Sequence, residues 1–472
     1  MWNVDCLVKK GGDTIGALLT NIVTRETQRI ERDNFHKLLD ANLYNAECRR
    51  TDDGVVLAGK RGQGGLKTIT VEELMAVDAK QKQLATESAL SHGKIGWTHS
   101  LMCLDIEVAR LTVIEAGGIV KIEVLHEKYL PVGVKPTTVS IYNWLARRRI
   151  PASRAHLKRM EWVIGSIDLA VIRSLGLCLS DSYWIKPAGV PKTWADVNFF
   201  TNDFTDDVGD YLMTEALGGV DVNSPSINTE GMVPKKWAIV NGKRRLIKGT
   251  MDSNFWQYNE VAAYKIGKAL GLQVLPYGLC DGNKHCFCPC MVQPGQNLVT
   301  ADDILREKLG SHSSTESGWY DNNPYFYDVL CAEFGREYID GVILFDYVIR
   351  NRDRHTRNLA RIQDAKSRRF LKNSHIFDNG SSLMESYDPL TKDFHVSIGK
   401  RIRDGSRPYC SPQSVQIGLI DKSPFLPKLR ECAENGTIGT VIRDTYKTSR
   451  IPAEVINALA IYVDSLVADL LR

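Results

Sequence analysis

The sequence predicts an α+β protein with two lobes and an N-terminal extension. Three observations predict it. Short strand-like runs separated by turn residues fill Leu101 to Leu125 and recur from Trp237 to Lys248. Apolar residues at helical spacing mark the later chain, from Ile339 to Ile349 and from Ile456 to Leu470. The opening segment follows neither pattern: its apolar clusters are short and Arg61-Gly-Gln-Gly-Gly65 interrupts it. At 472 residues, two or three domains are expected. We place the boundaries at 1–95 for an extension, 96–180 for a small sheet with helices, 181–293 for a small lobe and 294–472 for a helical large lobe.

Composition narrows the function classes. Sixty Lys and Arg against 56 Asp and Glu leave a net charge of +4, with 43% hydrophobic and 25% charged residues. These values belong to a folded globular protein and exclude disordered, collagen-like or strongly nucleic-acid-like composition. Eleven cysteines, an odd number in no small-domain framework, point to thiols in a reducing compartment, hence the cytoplasm. No signal peptide is expected, because Asp5 and Asp13 interrupt the first twenty residues. The apolar run Ile456 to Leu471 carries Asp464 and Asp469 and is too short to span a bilayer, so no membrane partner is expected. It reads as a helix with Pro452 in its first turn and a buried stripe through Ile456, Leu459, Val463, Leu466, Val467 and Leu470.

The elements follow in order. Leu101–Leu104, Val108–Ile114 and Ile119–Leu125, with a turn at Ala116-Gly-Gly118, suggest a small antiparallel sheet. Helical segments follow, one through Tyr142, Trp144 and Leu145 and one over 155–164. Between and within them lie Arg147, Arg148, Arg149, Arg154, Lys158 and Arg159, which read as a solvated face, with nucleic acid at most a weak or indirect partner. Asn241-Gly242 between Trp237–Val240 and Lys243–Lys248 is a strong hairpin signal and puts Lys248 near a strand end. A helix from Phe255 to Leu270 follows, with Ala262, Ile266, Ala269 and Leu270 on one face, Gly271 as its stop and Glu260 in its first half.

A strand lysine followed by a helix glutamate is the order in which a kinase small lobe holds nucleotide phosphates through an ion pair. Asp353-Arg-His-Thr-Arg-Asn358 then follows an apolar helix through Ile339, Val342, Ile343, Phe345, Tyr347 and Ile349. A loop Asp five positions before an Asn suits a base for the acceptor hydroxyl and a magnesium ligand. His375-Ile-Phe-Asp378-Asn-Gly380 reads as a strand ending in a metal carboxylate, with Gly permitting the turn. Each motif alone also fits a structural turn; their joint order points to phosphoryl transfer.

With these residues the chain resembles the HipA-like serine/threonine kinases, which share the Asp-Arg-His-x-x-Asn loop form with phosphoinositide kinases. The resemblance covers about Leu101 to Arg472 and rests on Leu130-Pro-Val-Gly133, Arg149-Ile-Pro-Ala-Ser-Arg154, Leu179-Ser-Asp-Ser-Tyr-Trp-Ile185, Leu246-Ile-Lys-Gly249, Asn259-Glu260, Asp346, the Asp353 loop and Asp378-Asn-Gly-Ser-Ser382. It implies a bilobal protein-kinase-like core using ATP and Mg2+. Asp353 would be the catalytic base, with His355 supporting its loop, and Asn358 and Asp378 would bind magnesium. Lys248 would contact phosphate and pair with Glu260. It also implies a bacterial toxin or regulatory kinase acting on Ser or Thr of a protein, with a possible antitoxin partner.

The chain departs from the family at the phosphate loop, where Ser224-Pro-Ser-Ile-Asn-Thr229-Glu-Gly231-Met-Val-Pro-Lys235-Lys236 stands in place of the usual glycine- and glutamine-containing loop. Thr229, Gly231 and Lys235 are the nucleotide-contact candidates there. By resemblance, Ser224, Ser226 or Thr229 would accept a phosphate from the enzyme itself; a surface loop whose hydroxyls only make turns is the alternative. In Cys280-Asp-Gly-Asn-Lys-His285-Cys286-Phe-Cys288-Pro-Cys290, the alternating Cys286, Cys288 and Cys290 read as buried thiols on one strand face rather than a zinc knuckle, and kinase order places the segment just before the hinge, so Met291 and Val292 would lie near the adenine. Two other readings stand: a lipid or small-molecule kinase, and a non-catalytic kinase-fold binding module.

Overall fold

In this computed structural model the chain forms two units, Met1–Lys94 and Ile95–Arg472. The described residues are 2–10, 13–21, 27–31, 48–51, 54–57 and 67–70 of the first unit, and 97–113, 119–148, 150, 167–214, 223–229, 233–249, 255–309, 325–387, 394–396 and 413–472 of the second. The protein is α+β.

In the first unit, β1 (Trp2–Lys10) pairs antiparallel with β2 (Asp13–Asn21), which pairs antiparallel with β3 (Thr27–Glu31). A hairpin of β4 (Cys48–Thr51) and β5 (Gly54–Leu57) follows, and β6 (Lys67–Thr70) closes the sheet parallel to β1. Sequence patterning left this segment unassigned.

The second unit begins with a four-stranded antiparallel sheet in the order β10-β7-β8-β9: β7 (Trp97–Cys103), β8 (Ile106–Val113), β9 (Ile119–Val124) and β10 (Tyr183–Pro187). The three strands read from alternation are present, and the turn expected at 116–118 lies outside the described residues. Helix α1 (Thr138–Arg148) covers one face with Ile141, Trp144 and Leu145, which join Leu101, Leu111 and Tyr183 in a local core. Helix α2 (Ile167–Arg173) follows; the helix expected over 155–164 lies outside the described residues, as do Arg149, Arg154, Lys158 and Arg159.

A second sheet, β11-β12-β14-β13, carries the hairpin of β11 (Lys235–Val240) and β12 (Lys243–Lys248), followed by β13 (Gly278–Cys280) and β14 (His285–Pro289). Asn241 and Gly242 take φ of 51° and 71°, the left-handed pair of a type I′ turn. Helix α3 (Asp207–Thr214) lies against β11, where Asp206 and Asp210 bind Lys236. Helix α4 (Trp256–Ala269) runs as its periodicity predicts and ends at Gly271, φ 76°.

Beyond it, β15 (Gln296–Thr300), β16 (Ala360–Asp364) and β17 (Phe370–Asn373) form a third antiparallel sheet. The main helices are α5 (Ala301–Leu309), α6 (Tyr325–Phe334), α7 (Arg336–Ile349), α8 (Leu426–Asn435), α9 (Thr437–Tyr446) and α10 (Ala453–Leu470), and between α7 and α8 the strands β18 (Met384–Tyr387) and β19 (Phe394–Val396) pair antiparallel. All six predicted stripe residues of α10 are buried, as are Ile339, Val342, Ile343, Phe345 and Ile349 of α7. These helices share one continuous core with α4. At roughly 1.5–3 kcal/mol per fully buried large apolar side chain, that core holds the site's scaffold in place. Among the described residues no helix is long and apolar enough to cross a membrane.

Candidate active site

Lys248 ends β12 because the hairpin register pairs it with Lys235 on one side and Cys286 on the other. Its side chain is buried, with Nζ 2.6 Å from Glu260 Oε1 and 2.7 Å from Asp378 Oδ1. Tyr277 lies below the ammonium, its ring centre 5.1 Å from Nζ. Glu260 reaches this point from the first turns of α4, and its other oxygen accepts the Asn379 backbone N–H at 2.9 Å.

Burial works against the Lys248 ammonium, but Asp378 and Glu260 outweigh it and hold the lysine well above its usual range. Burial lifts the Glu260 carboxyl above the ordinary carboxylate value despite the pull of Lys248. Asp378 moves the other way: burial opposes its ionisation, yet Lys248 and Lys235 hold it below the usual range. The site therefore keeps a fixed cation between two carboxylates, the nearer-surface one firmly ionised.

Asp378 does not sit on a strand, contrary to the sequence expectation. Ile376 makes one isolated parallel bridge with Val274, and Asp378 adopts φ 59°. The chain must turn sharply here, and Asp tolerates the left-handed region better than bulkier residues do. The turn is fastened to α4 by Asn259, which donates to the backbone oxygens of Gly380 at 2.7 Å and Met384 at 2.8 Å and accepts from the Tyr446 hydroxyl.

The loop after α7 is built around a buried arginine. Arg354 donates to Asp346 and to the backbone oxygens of Asn358 at 3.1 Å and Phe377 at 2.6 Å, and to Asn379 Oδ1 at 2.6 Å. One guanidinium thus joins the Asp353 loop to the Asp378 turn. Asn358 Nδ2 donates to the Asp353 backbone oxygen at 3.2 Å, and the Asp353 N–H donates to Asn351 Oδ1 at 3.0 Å. Asp353 itself is exposed, while Asn358 is buried.

A cavity of about 460 Å³ opens onto this centre, within the size range of small-molecule sites. Among the residues proposed from sequence, Thr229, Lys235, Lys248, Met291, Val292, His355, Asn358 and Asp378 line it. Glu260 stands behind Lys248, Asp353 lies outside the lining, and Gly231 lies outside the described residues. With an amide oxygen from Asn358 and a half-exposed carboxylate from Asp378, the donor set suits magnesium, which takes one or two protein oxygens and fills its shell with phosphate and water. Among the described residues no cluster of three His, Cys, Asp or Glu side chains is poised to hold a metal by itself.

Three other sequence expectations change. The two described members of the basic run are not a solvated face: Arg148 is buried, bonded to Asp181, the Gly176 oxygen and Cys178, and Arg147 pairs with Asp302 and Asp303 at 3.7 and 3.6 Å. Partner carboxylates distant in sequence made that burial possible. Ser224 and Ser226 are fully buried around a short helical turn, where Ser226 Oγ accepts the Trp237 N–H at 3.0 Å, so these two hydroxyls do not sit on a surface loop. Cys286 and Cys288 are buried on β14, where burial raises both thiols, but Cys290 lies past the strand end and donates to the Leu179 oxygen at 3.3 Å. Sequence reasoning missed Arg354, because an arginine inside a polar loop carries no periodic mark of burial. It also missed Tyr277, Asp303 and Arg357 in the cavity wall.

No family model and no curated protein matches the chain. Among solved structures, it is similar to the Helicobacter pylori proinflammatory kinase CtkA, with 17% identity and a TM-score of 0.38, over 51% of this chain and 90% of that one. It is also similar to HipA in the Shewanella oneidensis MR-1 toxin–antitoxin complex of HipA, HipB and operator DNA, with 14% identity and a TM-score of 0.45, over 79% of this chain and 96% of that one.

Proposed function

We propose that this protein is an ATP- and magnesium-dependent phosphotransferase acting on a hydroxyl, with serine or threonine of a protein as the acceptor. The observation that carries the reading is Lys248 held between Glu260 and Asp378 in the wall of a cavity that His355, Arg357 and Asn358 also line. A lysine so fixed offers a permanent positive charge to nucleotide phosphates, and Lys235 adds a second at the same wall. Asn358 and Asp378 would hold magnesium, which neutralises charge on the phosphates when bound. In the transfer, the acceptor oxygen bonds to the γ-phosphorus as the bond to the β,γ-bridging oxygen breaks. ADP leaves with that electron pair, and the acceptor proton passes to the Asp353 carboxylate. Its exposure suits an acceptor arriving from solvent, while the buried residues of the loop keep its backbone still. His355 belongs to this reading as a loop support in the cavity wall. An antitoxin-like protein partner remains part of it through the sequence resemblance.

The test is to incubate the purified protein with labelled ATP and magnesium alongside a cell lysate and identify what acquires phosphate. Transfer that needs magnesium and disappears in Asp353→Ala is the expected result. Label on a lipid or metabolite instead would move the assignment to a small-molecule kinase, and tight ATP binding without any transfer would make the chain a binding module.

A further inference from the structure

The cations around the cavity are mostly satisfied internally. Lys248 serves Glu260 and Asp378, Arg148 serves Asp181, and Arg147 serves Asp302 and Asp303. Arg357 differs. Its side chain is exposed, it lines the cavity, and among the described residues its guanidinium enters no hydrogen bond or ion pair. It sits on the short helical turn Thr356–Asn358, next to a proposed metal ligand and four residues after the proposed base.

Exposure along this loop separates two roles. Arg354, Thr356 and Asn358 are buried and fix the backbone, Thr356 through Asp302 at 3.4 Å. Asp353 and Arg357 are the loop's two exposed charges. Whereas the proposed phosphate contact, Lys248, is buried, a guanidinium that is exposed, lines the cavity and follows by four residues a base that must meet an incoming hydroxyl is open to an acceptor arriving from solvent. Its planar fork matches a carboxylate or phosphate oxyanion through two parallel hydrogen bonds.

We infer that Arg357 selects the acceptor by pairing with an anionic group close to the hydroxyl that receives phosphate, so that the preferred substrates are acidic or already phosphorylated segments. This rests on the phosphotransferase reading above.

The experiment uses the intact 472-residue chain, labelled ATP, magnesium and a synthetic peptide library with a central serine. Its arms carry Asp or Glu, phosphoserine, or Lys or Arg at the flanking positions. The intact protein should favour the anionic arms, and comparison of the first two identifies which oxyanion it takes. Arg357→Gln should raise KM for the best anionic peptide about tenfold or more, the scale of a lost hydrogen bond to a charged group. Arg357→Glu should shift preference to the basic arm, and Arg357→Lys should keep the anionic preference in weaker form. An unchanged preference in Arg357→Glu overturns the inference while leaving the enzyme assignment intact. So does a rise in KM for ATP with the peptide KM unmoved, which would give the guanidinium to the phosphodonor. No transfer to any arm or lysate protein by the intact chain overturns the phosphotransferase reading itself, and the inference with it.

Discussion

The Arg354 guanidinium pairs with the Asp346 carboxylate along one edge, Nε 3.0 Å from Oδ2 and Nη2 3.0 Å from Oδ1, with the two side chains 0% and 1% exposed. Nη1 donates to the Asn358 and Phe377 oxygens and Nη2 also donates to Asn379 Oδ1, so the pair anchors two loops to the end of α7. Asp346 also accepts from Asn351 at 3.1 Å, and its backbone oxygen accepts from Gln413 at 3.3 Å. The short distances and complete set of partners fit a buried charge that is compensated on every side.

Arg354→Met should therefore cost about 3–5 kcal/mol in urea unfolding, because it strands a buried carboxylate. Arg354→Lys should recover only part of this, since a point charge cannot span acceptors on two loops. A loss too small to measure in the Met variant would show that Asp346 is satisfied without the arginine.

Lys248→Met leaves Glu260 buried with only the Asn379 N–H for a partner. We expect a thermal unfolding penalty of about 3–5 kcal/mol, and most of it should return in the double variant Lys248→Met with Glu260→Leu. Strictly additive penalties would mean that the two side chains are not coupled.

Asp353→Ala should lower phosphoryl transfer by about 10²–10⁴-fold while ATP affinity persists, as expected for loss of a positioned base. Its exposed side chain makes little demand on folding, so the melting temperature should stay close to that of the intact protein. Transfer at the original rate in a folded variant would remove Asp353 from the chemistry.

Asp378 gives a pH dependence. Its folded-state pKa is depressed because Lys248 and Lys235 favour the carboxylate more than burial disfavours it. Its stabilising contribution is thus complete above the unfolded value of about 3.9 and is lost as pH falls from there through the lower folded value. The stability gap between the intact protein and Asp378→Asn, measured by denaturant unfolding at several pH values, should be constant above about pH 5 and narrow below about pH 4. A gap that widens in acid would reverse the assigned sign. The same variant should also lose magnesium dependence of ATP binding in calorimetry.

Much of the scaffold was legible because it is local. Asn241-Gly242 set the β11–β12 turn through its left-handed backbone, Gly271 ended α4 in the same way, and apolar spacing drew α4, α7 and α10. Spacing and order also nominated Lys248, Glu260, Asp353, Asn358 and Asp378. What spacing does not carry is the depth of a polar residue, since Arg148 and Arg354 look in the sequence like any exposed arginine. Ser224 and Ser226 look like loop hydroxyls, and nothing adjacent announces that β11 covers them.

By itself, the sequence determined the α+β class, the hairpin that carries Lys248, the helix that carries Glu260 and the two acidic loops, because turn chemistry and apolar period act within a few residues. Tertiary structure alone decided that Lys248 is shared between Glu260 and Asp378, that Arg354 is the buried tie between the loops, and that Arg357 stays exposed while lining the cavity. The reason is energetic. A buried charge is tolerated only where opposite charge and hydrogen bonds converge on it, and Lys248 and Asp378 are 130 residues apart in the chain.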